Sequence, residues 1–231
     1  MSETALWDLP TNHDRLAAAL ELDGKRVVDV GCGAGGLVRF LRDQGADALG
    51  VECGDVMISQ AREAEPDHVD AYLEGVGQDL PLEDAAVDMV VFCYSLHHVP
   101  TGEMGKALTE AERVLRADGE LVILEPIAEG LGFEVFQPVD DETEVRVLAQ
   151  AALDNRPASF TETHTERYPS AYSFTDFAEL KKQVIDIDPT RTQAFASAAE
   201  EVERRFHQNG IPGPEGVWLQ GDVLLRVFRK G

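Results

Sequence analysis

An open α/β fold with a mostly parallel sheet is predicted by three observations in the sequence. Short apolar runs alternate with amphipathic segments between residues 25 and 126, which is the pattern of successive βαβ units. The apolar run at residues 86–93 is continuous, as expected of a strand covered on both faces. A glycine-rich turn directly follows the first apolar run, in the stretch "VVDVGCGAGG" at residues 27–36, as at nucleotide-binding strand-to-helix turns.

Local patterns place the elements of this first half. Short apolar runs predict strands, and apolar residues at helical spacing that end at glycine or proline predict helices. Gly119 is predicted to close the third helix. The predicted strands lie at residues 25–30, 47–52, 69–76, 86–93 and 120–126, and the predicted helices at 36–45, 55–65 and 103–119.

The regular alternation stops after Pro126. Ser173 is predicted to cap the amino end of the helix at 173–184. The negative charge of Asp176, three residues on, would be favourable there because the amino end of a helix dipole is positive. The proline- and glycine-rich segment 209–218 is predicted to be a loop at the mouth of a site. Helices are predicted at 139–155, 173–184 and 191–210, and strands at 159–168 and 221–230 that pair with each other.

Composition and charge exclude several classes of protein. The 231 residues include 43 acidic and 20 basic ones, a formal net charge of -23, which repels nucleic acids and anionic lipid. No stretch approaches the ~18 apolar residues of a membrane span, and the polar start "MSETALWDLP" lacks the apolar region of a signal peptide. Three cysteines cannot form a fully paired disulfide framework. We therefore expect a cytoplasmic protein without nucleic-acid or membrane partners.

The glycine turn satisfies two cofactor fingerprints, and Asp29 separates them. Gly31, Gly33 and Gly36 have the dinucleotide spacing, whereas Gly31, Gly33 and Gly35 form G-x-G-x-G. A carboxylate in an apolar strand costs several kcal/mol unless it is hydrogen-bonded or matched by a cation. Amides of the loop can supply the hydrogen bonds, and a ligand ammonium can supply the cation. S-adenosylmethionine carries both an ammonium and a sulfonium. The Asp29 carboxylate would repel the pyrophosphate of NAD. If Asp29 only stabilises the loop, however, it is compatible with either cofactor.

Glu52 ends the second predicted strand, a little over 20 residues after the glycine turn. A carboxylate at this place accepts hydrogen bonds from ribose hydroxyls in dinucleotide sites. Glu52 therefore predicts a bound ribose without separating the two cofactors.

Five blocks stand in the order seen in class I S-adenosylmethionine-dependent methyltransferases, and the chain resembles their small-molecule, type 11 branch. The blocks, within residues 25–126, are "VVDVGCGAGG", "GVE", "GVGQDLPLEDAAVDMVV", "YSLHHV" and "VLRADGELVILEP". The resemblance implies a Rossmann-like, seven-stranded, mostly parallel sheet with helices on both faces and an antiparallel last strand. With the second half read as a helical lid, we expect one domain over 1–231, with a cofactor-binding core at 1–126 and lid helices and sheet-completing strands at 127–231.

The resemblance also implies a binding site for S-adenosylmethionine. Asp29 and the backbone of Gly31, Gly33 and Gly35 would hold the methionine end, Glu52 the ribose, and Cys53 the adenine. Val76 stands where the family often has an aspartate that accepts from the adenine amino group. The predicted replacements are Gly77, Gln78 and Asp79, and Cys32 and Tyr94 complete the predicted cofactor contacts.

His97 and His98 are the candidate catalytic residues. Ligands of open α/β sheets bind outside the carboxyl ends of the strands, where both histidines are predicted to lie. An imidazole accepts a proton near neutral pH, but one of two adjacent histidines on a turn usually faces the fold. A base is needed only for an acceptor that arrives protonated. The cysteine spacings fit no compact zinc pattern, so no metal is expected.

The predicted function is methyl transfer from S-adenosylmethionine to a small organic acceptor, driven mainly by proximity and orientation. Two alternatives remain open: a catalytically silent cofactor-binding or regulatory protein, and an NAD-dependent oxidoreductase, which Asp29 disfavours. The second half is expected to recognise the acceptor. The chain is expected to be a monomer or a homodimer.

The acidic charge allows two interpretations with different salt dependence. It either keeps an ordinary protein soluble or adapts it to a salty cytoplasm, where ions screen its self-repulsion. The second interpretation predicts that the melting temperature rises with added KCl, as differential scanning calorimetry would measure. A melting temperature that does not rise contradicts salt adaptation.

Overall fold

The computed structural model describes residues 4–187 and 189–231. Its strands are β1 (Arg26–Val30), β2 (Asp47–Glu52), β3 (Tyr72–Glu74), β4 (Val87–Cys93), β5 (Leu115–Pro126), β6 (Phe160–Phe174), β7 (Ile211–Gly213) and β8 (Gly216–Lys230). Its α-helices are α1 (Asn12–Ala19), α2 (Gly36–Asp43), α3 (Asp55–Ala64), α4 (Met104–Val114), α5 (Leu131–Phe136), α6 (Thr143–Asp154), α7 (Phe177–Ile187) and α8 (Thr192–Asn209). Short 3-10 helices lie at Leu6–Asp8, Pro66–Ala71, Leu96–His98 and Pro189–Arg191.

One sheet runs in the order β3-β2-β1-β4-β5-β8-β6, and β7 pairs antiparallel with β8. The neighbouring pairs among β1 to β5 are parallel. The predicted α/β fold with a mostly parallel sheet is confirmed, and β7 is a three-residue addition to the seven strands of the main path. The helical lid stays a prediction.

Two compact units divide the chain. The first, called the core unit here, comprises His13–Glu125, Val145–Arg167 and Leu224–Gly231. The second unit comprises the residues up to Asn12, Pro126–Glu144 and Tyr168–Val223. The expectation of one methyltransferase domain over the whole chain stays a prediction.

The core unit contains a hydrophobic cluster on one face of the sheet. Alternate strand residues such as Val28, Val90 and Ile123 are fully buried there. They pack with helical residues that recur at helical spacing, including Met104, Ala107, Leu108 and Ala111 of α4. Because successive side chains of a strand point to opposite faces, Asp29 leaves β1 on the face opposite Val28.

The second unit has its own hydrophobic cluster. Phe195, Val202 and Phe206 of α8 are fully buried at helical spacing, together with Leu180 of α7 and Leu219 of β8. Aromatic rings contribute much of the contact, for example Phe174 edge-on to Phe206 with ring centroids 6.3 Å apart. The apolar face of α8 is therefore a packing face.

The third predicted helix ends earlier than the sequence indicated. α4 stops at Val114, and Leu115 already pairs with Val87 in the sheet. Gly119 lies inside β5 and not at a helix end. A Cβ there would lie 2.9 Å from the carbonyl oxygen of Arg116, so the strand has no room for a side chain at this position. The apolar spacing of Val114 and Leu115 suits helix and strand equally, and strand pairing decides between them.

Two predictions in the second half were also wrong. Ser173 belongs to β6, and Asp176 caps α7, since its Oδ1 accepts from the amide of Glu179 at 2.9 Å. Segment 209–218 is a β-hairpin in which Ile211 pairs with Trp218. β7 has only three residues, too few for the alternating pattern that predicts a strand. None of the helices within residues 4–187 and 189–231 has the length and apolar character that crossing a bilayer requires.

Candidate functional site

The candidate site lies in the core unit, where the strand order reverses. β2 and β3 extend the sheet on one side of β1, and β4 and β5 extend it on the other. Parallel strands whose connections leave in opposite directions open a crevice at their carboxyl ends, which is where ligands of such folds bind. The glycine turn follows β1 at this point, and residues 94–98 follow β4.

The glycine turn has a backbone that only glycine adopts easily. Gly31, Gly33 and Gly35 all have positive φ, at 76°, 53° and 78°. Close neighbours also exclude a side chain at two of them. A Cβ at Gly31 would lie 2.6 Å from the Cβ of Ser95, and one at Gly35 would lie 2.7 Å from the ring of Tyr72. The turn is therefore fixed on both sides by buried residues.

Asp29 is a buried carboxyl group with an unsatisfied oxygen. Asp29 lies in β1, two residues before Gly31, and is only 2 % exposed. Its Oδ1 atom is buried and has no hydrogen-bond partner among residues 4–187 and 189–231. Burial first, and the nearby charge of Glu52 second, raise the pKa of Asp29 to about 8. A cation or a hydrogen-bond donor brought by a ligand would satisfy this oxygen.

The loop amides bind Glu52 and not Asp29. The amide of Gly33 donates to Oε2 of Glu52 at 2.9 Å, and the amide of Gly54 donates to Oε1 at 2.7 Å. The amides of Gly31 and Cys32 donate to the carbonyl of Val51. The loop was expected to offset the cost of burying Asp29 by hydrogen bonds, but no described residue donates to its Oδ1. More of this stabilisation would therefore have to come from a ligand.

Residues 76–79 form a tight turn at the same edge of the sheet. Asp79 donates its amide to the carbonyl of Val76 at 3.1 Å, and the two residues form an isolated bridge. Gly77 is buried, Gln78 is half-buried and Asp79 is exposed. The side chains of Gln78 and Asp79 are thus available for a ligand, and Val76 is 37 % exposed.

The segment after β4 brings together the predicted histidines and a carboxylate. Tyr94 has φ of 57°, an uncommon value for a residue with a side chain, and its amide donates to the carbonyl of Leu124 at 2.8 Å. His97 is 3 % exposed, and its Nδ1 bonds Oε2 of Glu125. His98 is exposed, with its ring centroid 4.1 Å from that of His97. As expected of an adjacent pair, one histidine faces the fold.

The three cysteines differ in exposure. Cys32 is buried, Cys93 is half-buried and Cys53 is exposed. Burial and the charge of Asp29 raise the pKa of the Cys32 and Cys93 thiols, and desolvation with the charge of Glu52 raises that of Cys53. Raised thiol pKa values disfavour thiolate chemistry at neutral pH.

Sequence reasoning missed the supporting side chains. Ser95 donates to the carbonyl of Val30 at 2.5 Å beneath the turn, and Tyr72 packs against Gly35. Glu125, 1 % exposed, binds the turn that carries His97. Glu125 did carry a signal in the sequence, because it is an acidic residue at the end of an otherwise apolar strand, as Asp29 is. Ser95 follows the predicted strand at 86–93, which places it near the same crevice, whereas Tyr72 carried no such signal.

The fold is similar to that of known methyltransferases. Residues 28–123 match the family described as Methyltransferase domain. A solved S-adenosylmethionine dependent methyltransferase from Mesorhizobium loti shares the fold, with a TM-score of 0.54 at 20 % identity over 93 % of this chain and 94 % of that one. Residues 28–123 are therefore similar to a methyltransferase domain, and the whole chain shares the fold of solved methyltransferases.

Curated relatives agree on the family and differ in acceptor. Malonyl-[acyl-carrier protein] O-methyltransferase of Pectobacterium atrosepticum is 33 % identical over 129 residues, which are 55 % of this chain and 49 % of the relative. Sarcosine/dimethylglycine N-methyltransferase of Halorhodospira halochloris is 28 % identical over 227 residues, which are 89 % of this chain and 75 % of the relative. The chain spans about half the length of the first relatives it matches.

The raised pKa of Asp29 makes the stability of the ligand-free protein depend on pH. Between the ordinary value of 3.8 and about 8, the unfolded chain has lost this proton while the folded protein keeps it, so stability falls as pH rises through this window. Asp29→Asn stays neutral and removes the effect. Near pH 8 we expect the free energy of unfolding of Asp29→Asn to exceed that of the wild type by at least about 1 kcal/mol, measured as a higher urea midpoint. Near pH 4 we expect the difference in the free energy of unfolding to be smaller.

The control is Asp43→Asn, the same change at an exposed position at the end of α2. It is expected to shift the urea midpoint only slightly at either pH, since surface substitutions change stability by about 0.5 kcal/mol or less. Equal midpoints of wild type and Asp29→Asn at both pH values would contradict the burial of a titrating carboxyl group.

Proposed function

We propose that the protein transfers a methyl group from S-adenosylmethionine to a small organic acceptor. The observation that carries this proposal is the buried Oδ1 of Asp29, which lacks a hydrogen-bond partner among the described residues 4–187 and 189–231 and adjoins a glycine turn. An unsatisfied carboxylate oxygen favours a ligand with a cationic group over one with a pyrophosphate. The methionine end of the cofactor has such a group in its ammonium.

The residues at this edge of the sheet fit the cofactor. Asp29 and the backbone of Gly31, Gly33 and Gly35 would hold its methionine end, with Cys32 and Tyr94 beside them. Glu52 already accepts two backbone hydrogen bonds, and each carboxylate oxygen has a second lone pair for a ribose hydroxyl. Cys53, Gly77, Gln78 and Asp79 would surround the adenine. The side chain of Val76 has no hydrogen-bond acceptor, so the adenine amino group would donate to the turn at 77–79.

When bound, S-adenosylmethionine supplies a methyl group already activated by its positive sulfur. The chain's contribution is therefore to align an acceptor atom with that methyl group and to keep water out. His97 and His98 follow β4 at the same end of the sheet and are the candidates for receiving a proton from the acceptor.

The acceptor proposed here is a small molecule with a nucleophilic oxygen or nitrogen. The relatives named for O-methylation of malonyl-acyl-carrier protein and N-methylation of sarcosine and dimethylglycine support this class. The alignment with the N-methyltransferase extends over nearly all of this chain. Amines related to glycine are for this reason the first acceptors to test.

Cofactor binding is expected to release a proton from Asp29. Because the pKa of Asp29 is about 8 in the free protein, the carboxyl group must ionise to pair with an ammonium, so affinity rises with pH between about 6 and 8. Isothermal titration calorimetry in buffers of different ionisation enthalpy measures both the affinity and the released proton. Asp29→Asn is expected to bind at least about tenfold more weakly and without proton release.

The calorimetric control is Asp43→Asn, which is expected to bind as the wild type does. Titration with NAD tests the alternative cofactor and is expected to show no binding. Binding of NAD in place of S-adenosylmethionine, or binding that Asp29→Asn leaves unchanged, would contradict the proposed site.

Methyl transfer itself is tested with labelled cofactor. The protein is incubated with isotopically labelled S-adenosylmethionine and either glycine-type amines or a metabolite extract, and products that gain the labelled methyl group are identified by mass spectrometry. We expect a labelled small molecule that is absent when Asp29→Asn replaces the wild type. Tight cofactor binding without a methylated product in any pool would favour a catalytically silent protein over the proposed enzyme.

A further inference from the structure

The segment at 75–82, which contains the turn at 77–79, is a closed loop. At its start, the amide of Gly75 donates to the carbonyl of Glu52 at 3.1 Å. A Cβ at Gly75 would lie 2.8 Å from Cδ of Pro81, so the two ends of the segment are in contact. The loop therefore begins at a hydrogen bond to Glu52, the residue proposed to bind the ribose.

The other end of this loop is held by an ion pair on α4. Glu110 and Arg113 lie about one helical turn apart, and Nη2 of Arg113 donates to Oε2 of Glu110 at 2.7 Å. Glu110 accepts from the amide of Leu80 at 2.9 Å, and Arg113 donates to the carbonyl of Leu80 at 3.0 Å. Both backbone groups of the residue that directly follows the turn are therefore bonded to the same ion pair.

Arg113 uses every donor of its guanidinium group in this contact. Its five N–H groups make two hydrogen bonds to Glu110, one each to the carbonyls of Leu80 and Leu82, and one to the carboxylate of Asp84. A lysine has three donors on a single nitrogen and cannot reach all of these groups at once. The hydrogen bond from Arg113 also holds the pKa of Glu110 below its ordinary value, which strengthens the pair as a charge-assisted contact.

The ion pair bears on how an adenine would be bound. The turn at 77–79 is the part of the chain proposed to accept from the adenine amino group. An acceptor discriminates between two ligands only if it is held in place, since a mobile turn rearranges to suit either one. Leu80 is 4 % exposed and packs in the hydrophobic cluster of the core unit. The pair thus fixes the turn to the packed part of the core unit.

We propose that Arg113 and Glu110 are positioning residues for adenine recognition, which hold the turn at 77–79 so that it accepts from the adenine amino group. The inference rests on the proposed function. Both residues act through the backbone of Leu80 and not by touching the ligand. A purine with an oxygen in place of the amino group has no hydrogen to donate there, so it would leave a fixed acceptor unpaired.

The ratio of two ligand affinities separates this role from that of a simple brace. Isothermal titration calorimetry measures the binding of S-adenosylhomocysteine, the cofactor without its methyl group, and of S-inosylhomocysteine, which has a 6-oxo group in place of the amino group. A substitution that only lowers the fraction of binding-competent protein weakens both ligands equally and leaves the ratio unchanged.

The wild type is expected to bind the adenine compound at least about tenfold more tightly than the inosine compound. In Arg113→Lys we expect this preference to fall below about threefold. The matched control is Arg116→Lys, the same change at an exposed arginine that bonds Asp88 and the carbonyl of Ala86. This control is expected to keep the wild-type preference.

A second variant keeps the test decisive if Arg113→Lys does not fold, as circular dichroism would show. Glu110→Gln retains an oxygen that accepts from the amide of Leu80 but loses the charge that binds Arg113. We expect it to lower the preference for the adenine compound by at least about threefold.

The possible results decide different points. A wild-type preference that persists in both Arg113→Lys and Glu110→Gln overturns the positioning role, even if both proteins are less stable. An equal loss of preference in Arg116→Lys overturns it as well, and so does a wild type that binds the two compounds equally. If the wild type binds neither compound, the proposed function itself fails, and this result is distinct from an unchanged ratio.

Discussion

The site depends on how Asp29 is buried in the middle of a parallel sheet. β1 has β2 on one side and β4 on the other, so a side chain near its carboxyl end is surrounded by backbone and apolar groups. The loop amides that could have satisfied this carboxylate bind Glu52 or Val51. The folded chain therefore holds a proton on Asp29 near neutral pH, at a place where a cationic ligand would displace it. A ligand that satisfied this oxygen would recover free energy that the ligand-free fold loses by burying it.

The same arrangement explains the packing around the glycine turn. Gly31 lies against Ser95, which follows β4, and Gly35 lies against Tyr72 of β3. Tyr72 is itself held by Glu65, which also pairs with Arg42 of α2 at 2.8 Å. The turn is thus held in place on one side by Ser95 and on the other by Tyr72 in the ligand-free protein. A preformed turn reduces the ordering that binding requires, and this favours affinity for a small cofactor.

Glu125 and Asp29 are buried carboxyl groups in different surroundings, on the two strands that flank β4. Both are acidic residues, at most 2 % exposed, at the carboxyl ends of apolar strands. Glu125 is satisfied within the protein by Leu96 and His97, whereas Asp29 has an oxygen that no described residue bonds. A satisfied buried carboxylate orients its partners, and an unsatisfied one selects a ligand.

The sequence by itself determined the fold class, the strand at 47–52 to the residue, and the place of the glycine turn, because hydrophobic period and glycine spacing are local properties. It also marked Asp29, since a charge in an apolar strand stands out in one dimension. The end of α4 at Val114, the cap at Asp176 and the hairpin at 211–218 were decided by strand pairing and by hydrogen bonds that local patterns do not contain. Only the tertiary structure decided that Glu52 takes the loop amides and that Glu125 meets His97, because these partners are 19 and 28 residues apart in the chain and meet only when the sheet forms.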